Sequence, residues 1–115
     1  MLVRSTEIFT VYHIHAPQPV WRPPADLYET DSDLVVQIEI AGMRDGHFHL
    51  NLQDRLLIIH GTRGSRSRER RAYHQMEVNS GDFRLELELP LLVDTTAFQA
   101  DYDDGFLRIS LPKLR

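Results

Sequence analysis

The feature of this sequence that most constrains its fold is a hydrophobic alternation with a period of two, repeated in short segments that end at Gly, Pro or Asp. This period places apolar side chains on one face of a β-strand, whereas a helix would need a period near 3.6. No segment shows a sustained helical period. The chain is therefore predicted to be all-β, an antiparallel sandwich or barrel of short strands.

The clearest alternation lies at residues 83–89, and Pro90 ends it because proline cannot donate to a β-ladder. Residues 56–59 are continuously apolar instead, which predicts a strand covered on both faces. An Asp-Gly pair indicates a tight turn in which Gly105 adopts a positive φ and Leu107 then points inward. The predicted strands are residues 26–30, 34–40, 48–53, 55–61, 83–89 and 107–111.

Composition narrows the class of protein. A length of 115 residues favours one domain, and the absence of cysteine excludes disulfides, a thiol nucleophile and a thiolate zinc site. A net charge of −4 is too mild to indicate a polyionic partner. No apolar run reaches the length of a membrane span, and Arg4 and Glu7 interrupt the N-terminus where a signal peptide would be apolar. We therefore expect a cytoplasmic protein with no membrane partner.

Two stretches do not follow the strand pattern. Residues 1–24 end in several prolines and are predicted to form a short extended arm outside the sandwich. Between Gly61 and Tyr73 lies a loop with five arginines and no apolar anchor before Ala72. Clustered arginine suits phosphate binding, but the loop lacks interleaved aromatic residues and the chain is acidic overall. We therefore expect no nucleic-acid partner.

Four ordered segments resemble the alpha-crystallin domain of the small heat-shock protein family, in its bacterial and plant type. They are residues 26–36, 57–61, 73–90 and 100–113, and the last is similar to the family's Ala-x-x-x-x-Gly-Val-Leu signature around Gly105 and Leu107. The resemblance covers residues 25–113. It implies an immunoglobulin-like antiparallel β-sandwich that forms a homodimer or small homo-oligomer. It also implies a stress-response chaperone that binds unfolding client proteins without ATP, a cofactor or enzymatic activity. The alternative is a scaffold domain with a fixed protein partner.

The resemblance also implies two protein-binding surfaces. In bacterial and plant members the long connection crosses to a partner subunit and pairs with its first domain strand. On this chain that exchange would involve Leu27, Tyr28, Glu29, Arg70, Arg71 and Ala72. The family also binds apolar segments in a groove, which would lie here between residues 48–53 and 83–89. Its edges would be Leu50, Leu52, Leu85, Leu87 and Leu89, although the same leucines also suit a core.

The chain departs from the family at both ends. Only residues 114–115 follow the domain, without the family's Ile-x-Ile tail, so we do not expect large shells. The arm is short but apolar, and Phe9-x-Val11 is an apolar pair that would suit a groove in place of that tail. The predicted arm-contact residues are Ile8, Phe9, Val11, Ile14 and Trp21.

No residue pattern indicates catalysis. The sequence has no phosphate-binding Gly-rich loop, no Gly-x-Ser-x-Gly and no His-Glu-x-x-His. Two histidine pairs, His13/His15 and His47/His49, each lie on one side of an extended segment and would reach one metal ion, but no third ligand is evident. Solvent-facing strand positions explain His47 and His49 better, because these residues alternate with Phe48 and Leu50, so no metal site is predicted.

Overall fold

The computed structural model describes residues 20–44, 47–64 and 69–114. Each predicted strand is present, with ends within two residues of the prediction. A further strand, β6, was not predicted, because its five residues are all exposed and its alternation consists only of Ala100 and Tyr102 among polar residues. The strands are β1 (Ala25–Glu29), β2 (Asp33–Glu39), β3 (His47–Gln53), β4 (Leu56–Arg63), β5 (Gly81–Glu88), β6 (Gln99–Asp103) and β7 (Phe106–Pro112).

These strands form two antiparallel sheets. The four-stranded sheet has the order β1-β2-β7-β6, and the three-stranded sheet has the order β3-β4-β5. The described residues contain no helix. The predicted all-β antiparallel sandwich is thus confirmed.

The core lies between the sheets and follows the predicted alternation. In β2, Val36 and Ile38 are buried on the inner face while Glu39 is exposed. In β7, Ile109 is fully buried between exposed or half-buried neighbours. Burying one such aliphatic side chain stabilises the fold by about 1.5–3 kcal/mol, so this inner layer is the main source of stability.

Strand β4 differs in part from its prediction. Leu57 and Ile59 belong to the core. On the opposite face Ile58 is also buried, at 5% exposed, whereas Leu56 is 39% exposed. Within the described residues no strand of a third layer covers this outer face. Ile58 has Asn51 and Glu86 as register neighbours. The prediction of cover on both faces therefore holds for the buried Ile58 and is wrong for Leu56.

The turn between β6 and β7 has the predicted conformation. Asp103 pairs with Phe106, which leaves Asp104 and Gly105 as the two turn residues. Their φ angles are 53° and 85°, so both are positive, as a type I′ hairpin turn requires. Leu107 then points into the core. The signature turn thus places β6 at the edge of its sheet.

Candidate functional site

The edges of the two sheets leave apolar side chains partly uncovered. On β3, Leu50 and Leu52 pair with the buried Ile59 and Leu57, so they face inward, yet both are only half-buried. Strand β3 is the last strand of its sheet. Its outer backbone N–H and C=O groups therefore have no partner strand among the described residues, which is the state that favours addition of another strand.

Strand β6 faces this edge from the other sheet. Ala100 and Tyr102 pair with the buried Ile109 and Leu107, so they also face inward, yet both are exposed. Tyr102 approaches Phe48 of β3 with ring centroids 5.5 Å apart, so the two edges meet there. We call the surface formed by Leu50, Leu52, Ala100 and Tyr102 the edge cleft.

Tyr102 fixes one end of the edge cleft. Its hydroxyl donates to the carbonyl oxygen of Ile40 at 2.8 Å and accepts from the backbone N–H of Met43 at 3.4 Å. Both bonds are partly buried, where a hydrogen bond is hard to replace with water. The cleft therefore has a rigid end made by the chain just after β2.

The predicted groove between residues 48–53 and 83–89 is wrong in its geometry. Strand β4 lies between β3 and β5, so these two strands do not border a common groove. Leu85 and Leu89 are 1% and 0% exposed and belong to the core, and Leu87 packs against it. Leu50 and Leu52 remain at an open edge. Binding of peptide by these two leucines stays a prediction.

A second open edge runs along β1. Leu27 pairs with the buried Val36 and so faces inward, yet it is 37% exposed because the narrower three-stranded sheet does not cover it. Tyr28 is also exposed. Glu29 forms an ion pair with Lys113 at 2.9 Å, so it is already neutralised within the chain. Of the six residues predicted for dimer exchange, Leu27, Tyr28 and Glu29 thus lie on one accessible strand.

Residues 69–80, which we call the exchange segment, lie outside the strands of both sheets. Arg70, Arg71 and Ala72 are all exposed there. The segment also presents Met76, 48% exposed, and Val78, 81% exposed. Our sequence interpretation did not single out these two residues, although their spacing of two in an otherwise polar stretch is a strand signal.

The exchange segment ends at a joint built on Arg63. The guanidinium of Arg63 lies 4.4 Å from the centre of the Trp21 ring and donates to the carbonyl oxygens of Asn79 and Ala41. A cation over an indole face is attracted by the ring quadrupole. The joint therefore connects the arm, the end of β4, the chain after β2 and the end of the exchange segment.

Trp21 lies against the sandwich, contrary to its predicted place in a free arm. Its ring packs on Phe83 with centroids 5.6 Å apart, and its indole N–H donates to the carbonyl oxygen of Gly81. Its backbone N–H donates to the carbonyl oxygen of Asp82, and its carbonyl oxygen accepts from the N–H of Arg84, along the outer edge of β5. The other predicted arm contacts, Ile8, Phe9, Val11 and Ile14, lie outside the described residues.

Titratable side chains do not converge on a catalytic site in the part of the chain that the structure describes. Groups of three or more potential metal ligands are absent from these residues. Asp101, Asp103 and Asp104 are exposed around the hairpin turn, as predicted. His47 and His49 occupy exposed positions of β3. Across the same residues, no helix is long and apolar enough to cross a membrane.

Comparisons with known proteins agree with this architecture. The Hsp20/alpha crystallin family model matches residues 26–115. Small heat shock protein C2 of Rickettsia felis is 28% identical over 108 residues, which cover 93% of this chain and 70% of that protein. A 17.9 kDa class II heat shock protein of Glycine max is 31% identical over 93 residues, covering 79% of this chain and 58% of that protein.

Solved structures give the same result for the fold. The crystal structure of hspA from Xanthomonas axonopodis superimposes with a TM-score of 0.73 at 26% identity, covering 83% of this chain and 96% of that one. HSP18.5 from E. histolytica superimposes with a TM-score of 0.70 at 23% identity, covering 82% and 89%. The chain thus has the sandwich found in these proteins, while it spans only part of the length of the curated relatives.

Proposed function

Because the chain belongs to the Hsp20/alpha crystallin family, we propose that it is an ATP-independent cytoplasmic chaperone that holds unfolding proteins and prevents their aggregation. The observation that carries this proposal is the edge cleft, where an unpaired strand edge runs beside inward-facing but uncovered apolar side chains. An unfolding protein exposes extended apolar segments whose backbone groups have lost their partners within the protein. Such a segment finds both kinds of partner at this edge.

Strand addition explains how one surface would accept many clients. Backbone hydrogen bonds along β3 do not depend on the client's sequence, and Leu50, Leu52 and Tyr102 contribute apolar contact at alternate positions. Buried apolar area stabilises such a complex by roughly 25 cal/mol per Å², without a nucleotide or a chemical step. The surface is therefore suited to weak and broad binding.

We further propose that the chain forms a homodimer through the exchange segment and the β1 edge of a second copy. Met76 and Val78 would extend the apolar inner face of β1 beside Leu27. Arg70 carries positive charge towards an edge that contains Asp26, which favours this orientation, whereas Arg71 is already paired with Glu69 at 3.1 Å. Glu29 contributes less than its sequence position indicates, because Lys113 already neutralises it.

The chaperone proposal is tested by the turbidity of two unrelated client enzymes, heated without ATP in the presence of the full chain. We expect soluble clients at a near-stoichiometric ratio. Leu52→Ser should raise the amount of chain needed severalfold, because it removes an apolar contact at the cleft. Gln53→Ser, one position along on the outer face, is the matched control. If the unmodified chain lets both clients aggregate, the proposal is wrong and the scaffold alternative replaces it.

The dimer is tested by light scattering of the full chain and two variants. Met76→Asp places a charge in the apolar strip of the exchange segment and should yield monomer. Gln75→Asp adds the same charge one residue earlier, on the opposite side of an extended chain, and should leave the mass unchanged. Equal masses for both variants and the parent chain would contradict exchange through this segment.

A further inference from the structure

Two histidines lie side by side on the outer face of the three-stranded sheet. His49 of β3 is the register partner of His60 of β4. Their rings are stacked, with centroids 4.9 Å apart and planes inclined by 19°. The family comparison gives this pair no role, and it lies on the face opposite the core, away from the edge cleft.

The spacing of these rings matches that of two imidazoles bound to one metal ion. With metal–nitrogen bonds of about 2.0–2.1 Å, each ring centroid lies about 3.2 Å from the metal, so centroids are about 4.5 Å apart at a right angle and about 5.2 Å apart at a tetrahedral angle. The observed 4.9 Å falls between these values. Rotation about χ2, which is broad for histidine, turns one nitrogen of each ring towards a common point without moving the backbone.

The charged side chains beside the pair are engaged with other groups. Asp82 accepts a hydrogen bond from Thr62 at 2.7 Å, and Arg84, the register partner of His60, pairs with Glu86 at 2.8 Å. Neutral imidazole is a metal ligand, and each of the two rings has two nitrogens that can serve.

We propose that His49 and His60 form a chelating site for a divalent transition-metal ion of the kind that prefers imidazole, such as Zn²⁺. Two imidazoles supply the protein ligands, and water fills the remaining positions, since the described residues hold no group of three ligating side chains. Such a site is open and exchangeable, unlike the closed four-ligand sites that hold structural zinc. It is independent of client binding at the edge cleft.

The test is a calorimetric titration of Zn²⁺ into the full chain, prepared without a histidine tag, at pH 7.5. We expect one Zn²⁺ per chain, and at least about tenfold weaker binding in His49→Gln and in His60→Gln, because each removes one of two ligands. His74→Gln, in the exposed exchange segment, is the matched control and should stay within about twofold. His47→Gln should also stay within about twofold.

Three results would overturn the proposal. The first is no binding by the unmodified chain at millimolar Zn²⁺, and the second is unchanged affinity in His49→Gln and His60→Gln. The third is a loss in His47→Gln with none in His60→Gln, which would place the metal on the i, i+2 pair of β3. Thermal unfolding gives a second readout, because Zn²⁺ should raise the midpoint of the unmodified chain and not that of the double variant. Circular dichroism of each variant without metal shows whether its fold is intact.

Discussion

Gly61→Ala is expected to destabilise the sandwich strongly, because the structure leaves no room for a methyl group at this position of β4. Gly61 pairs with Phe48 on one side and with Phe83 on the other. A Cβ built on Gly61 would lie far inside contact distance of the backbone carbonyl oxygen of His47 and 2.9 Å from Cζ of Phe83. Neither neighbour yields easily, since one is backbone and the other ring is 1% exposed.

The magnitude follows from which groups must move. Overpacking a core costs about 1–3 kcal/mol and occasionally more, and here a backbone group of β3 must shift as well as a buried ring. We therefore expect a loss of about 3 kcal/mol or more in the free energy of unfolding. For a domain of this size that lowers the melting midpoint by roughly 12 °C, at about 4 °C per kcal/mol.

The assay is thermal unfolding of the full chain followed by circular dichroism, with urea unfolding as a second measure. Thr62→Ala is the matched control, since it changes the next residue on the opposite face and removes only the exposed hydrogen bond to Asp82. Its cost should stay within about 1 kcal/mol. A midpoint for Gly61→Ala within about 2 °C of the parent chain would refute the packing argument.

Three further outcomes follow from the same contacts. Tyr102→Phe removes the hydroxyl that donates to Ile40 and should cost about 1 kcal/mol, measured as a lower urea midpoint. Arg63→Gln should uncover one face of the ring of Trp21, the single tryptophan, while Phe83 and Gly81 still hold it, so acrylamide quenching should increase; unchanged quenching would contradict the joint. Because the pKa of His60 is lowered by folding, the unfolded chain binds more protons near its ordinary pKa of about 6.5, so stability should fall from pH 7.5 to 5.5. His60→Gln should flatten this pH dependence, and an equal slope would contradict the argument.

The strands could be predicted from the sequence because each buries one face, and alternation reports that burial directly. Alternation does not report which strands are neighbours. The groove that the family resemblance implied between the third and fifth strands could not be checked against alternation; β4 lies between these strands, and Leu85 and Leu89 belong to the core. Strand β6 has this pattern only weakly, as Ala100 and Tyr102 between polar residues, because it is exposed throughout. The edge cleft, which is formed partly by β6, could therefore not be predicted from the sequence.

The arm and the exchange segment show the same limit. Trp21 follows a stretch without periodicity, and it joins the sandwich through hydrogen bonds to residues 60 to 63 positions away in the chain. Contacts at such separation leave no local sequence signal. Met76 and Val78 could have been identified from the sequence, since their spacing of two in a polar stretch already indicates an extended apolar strip.

Amide hydrogen exchange of the full chain, free and in a soluble complex with a heat-unfolded client enzyme, tests the central claim most directly. If clients add as a strand at the edge cleft, amides of His47–Gln53 and Gln99–Asp103 should become protected in the complex. Amides of the central strand Leu56–Arg63 should not change. Failure to form a soluble complex, or protection confined to strands other than β3 and β6, would contradict the account.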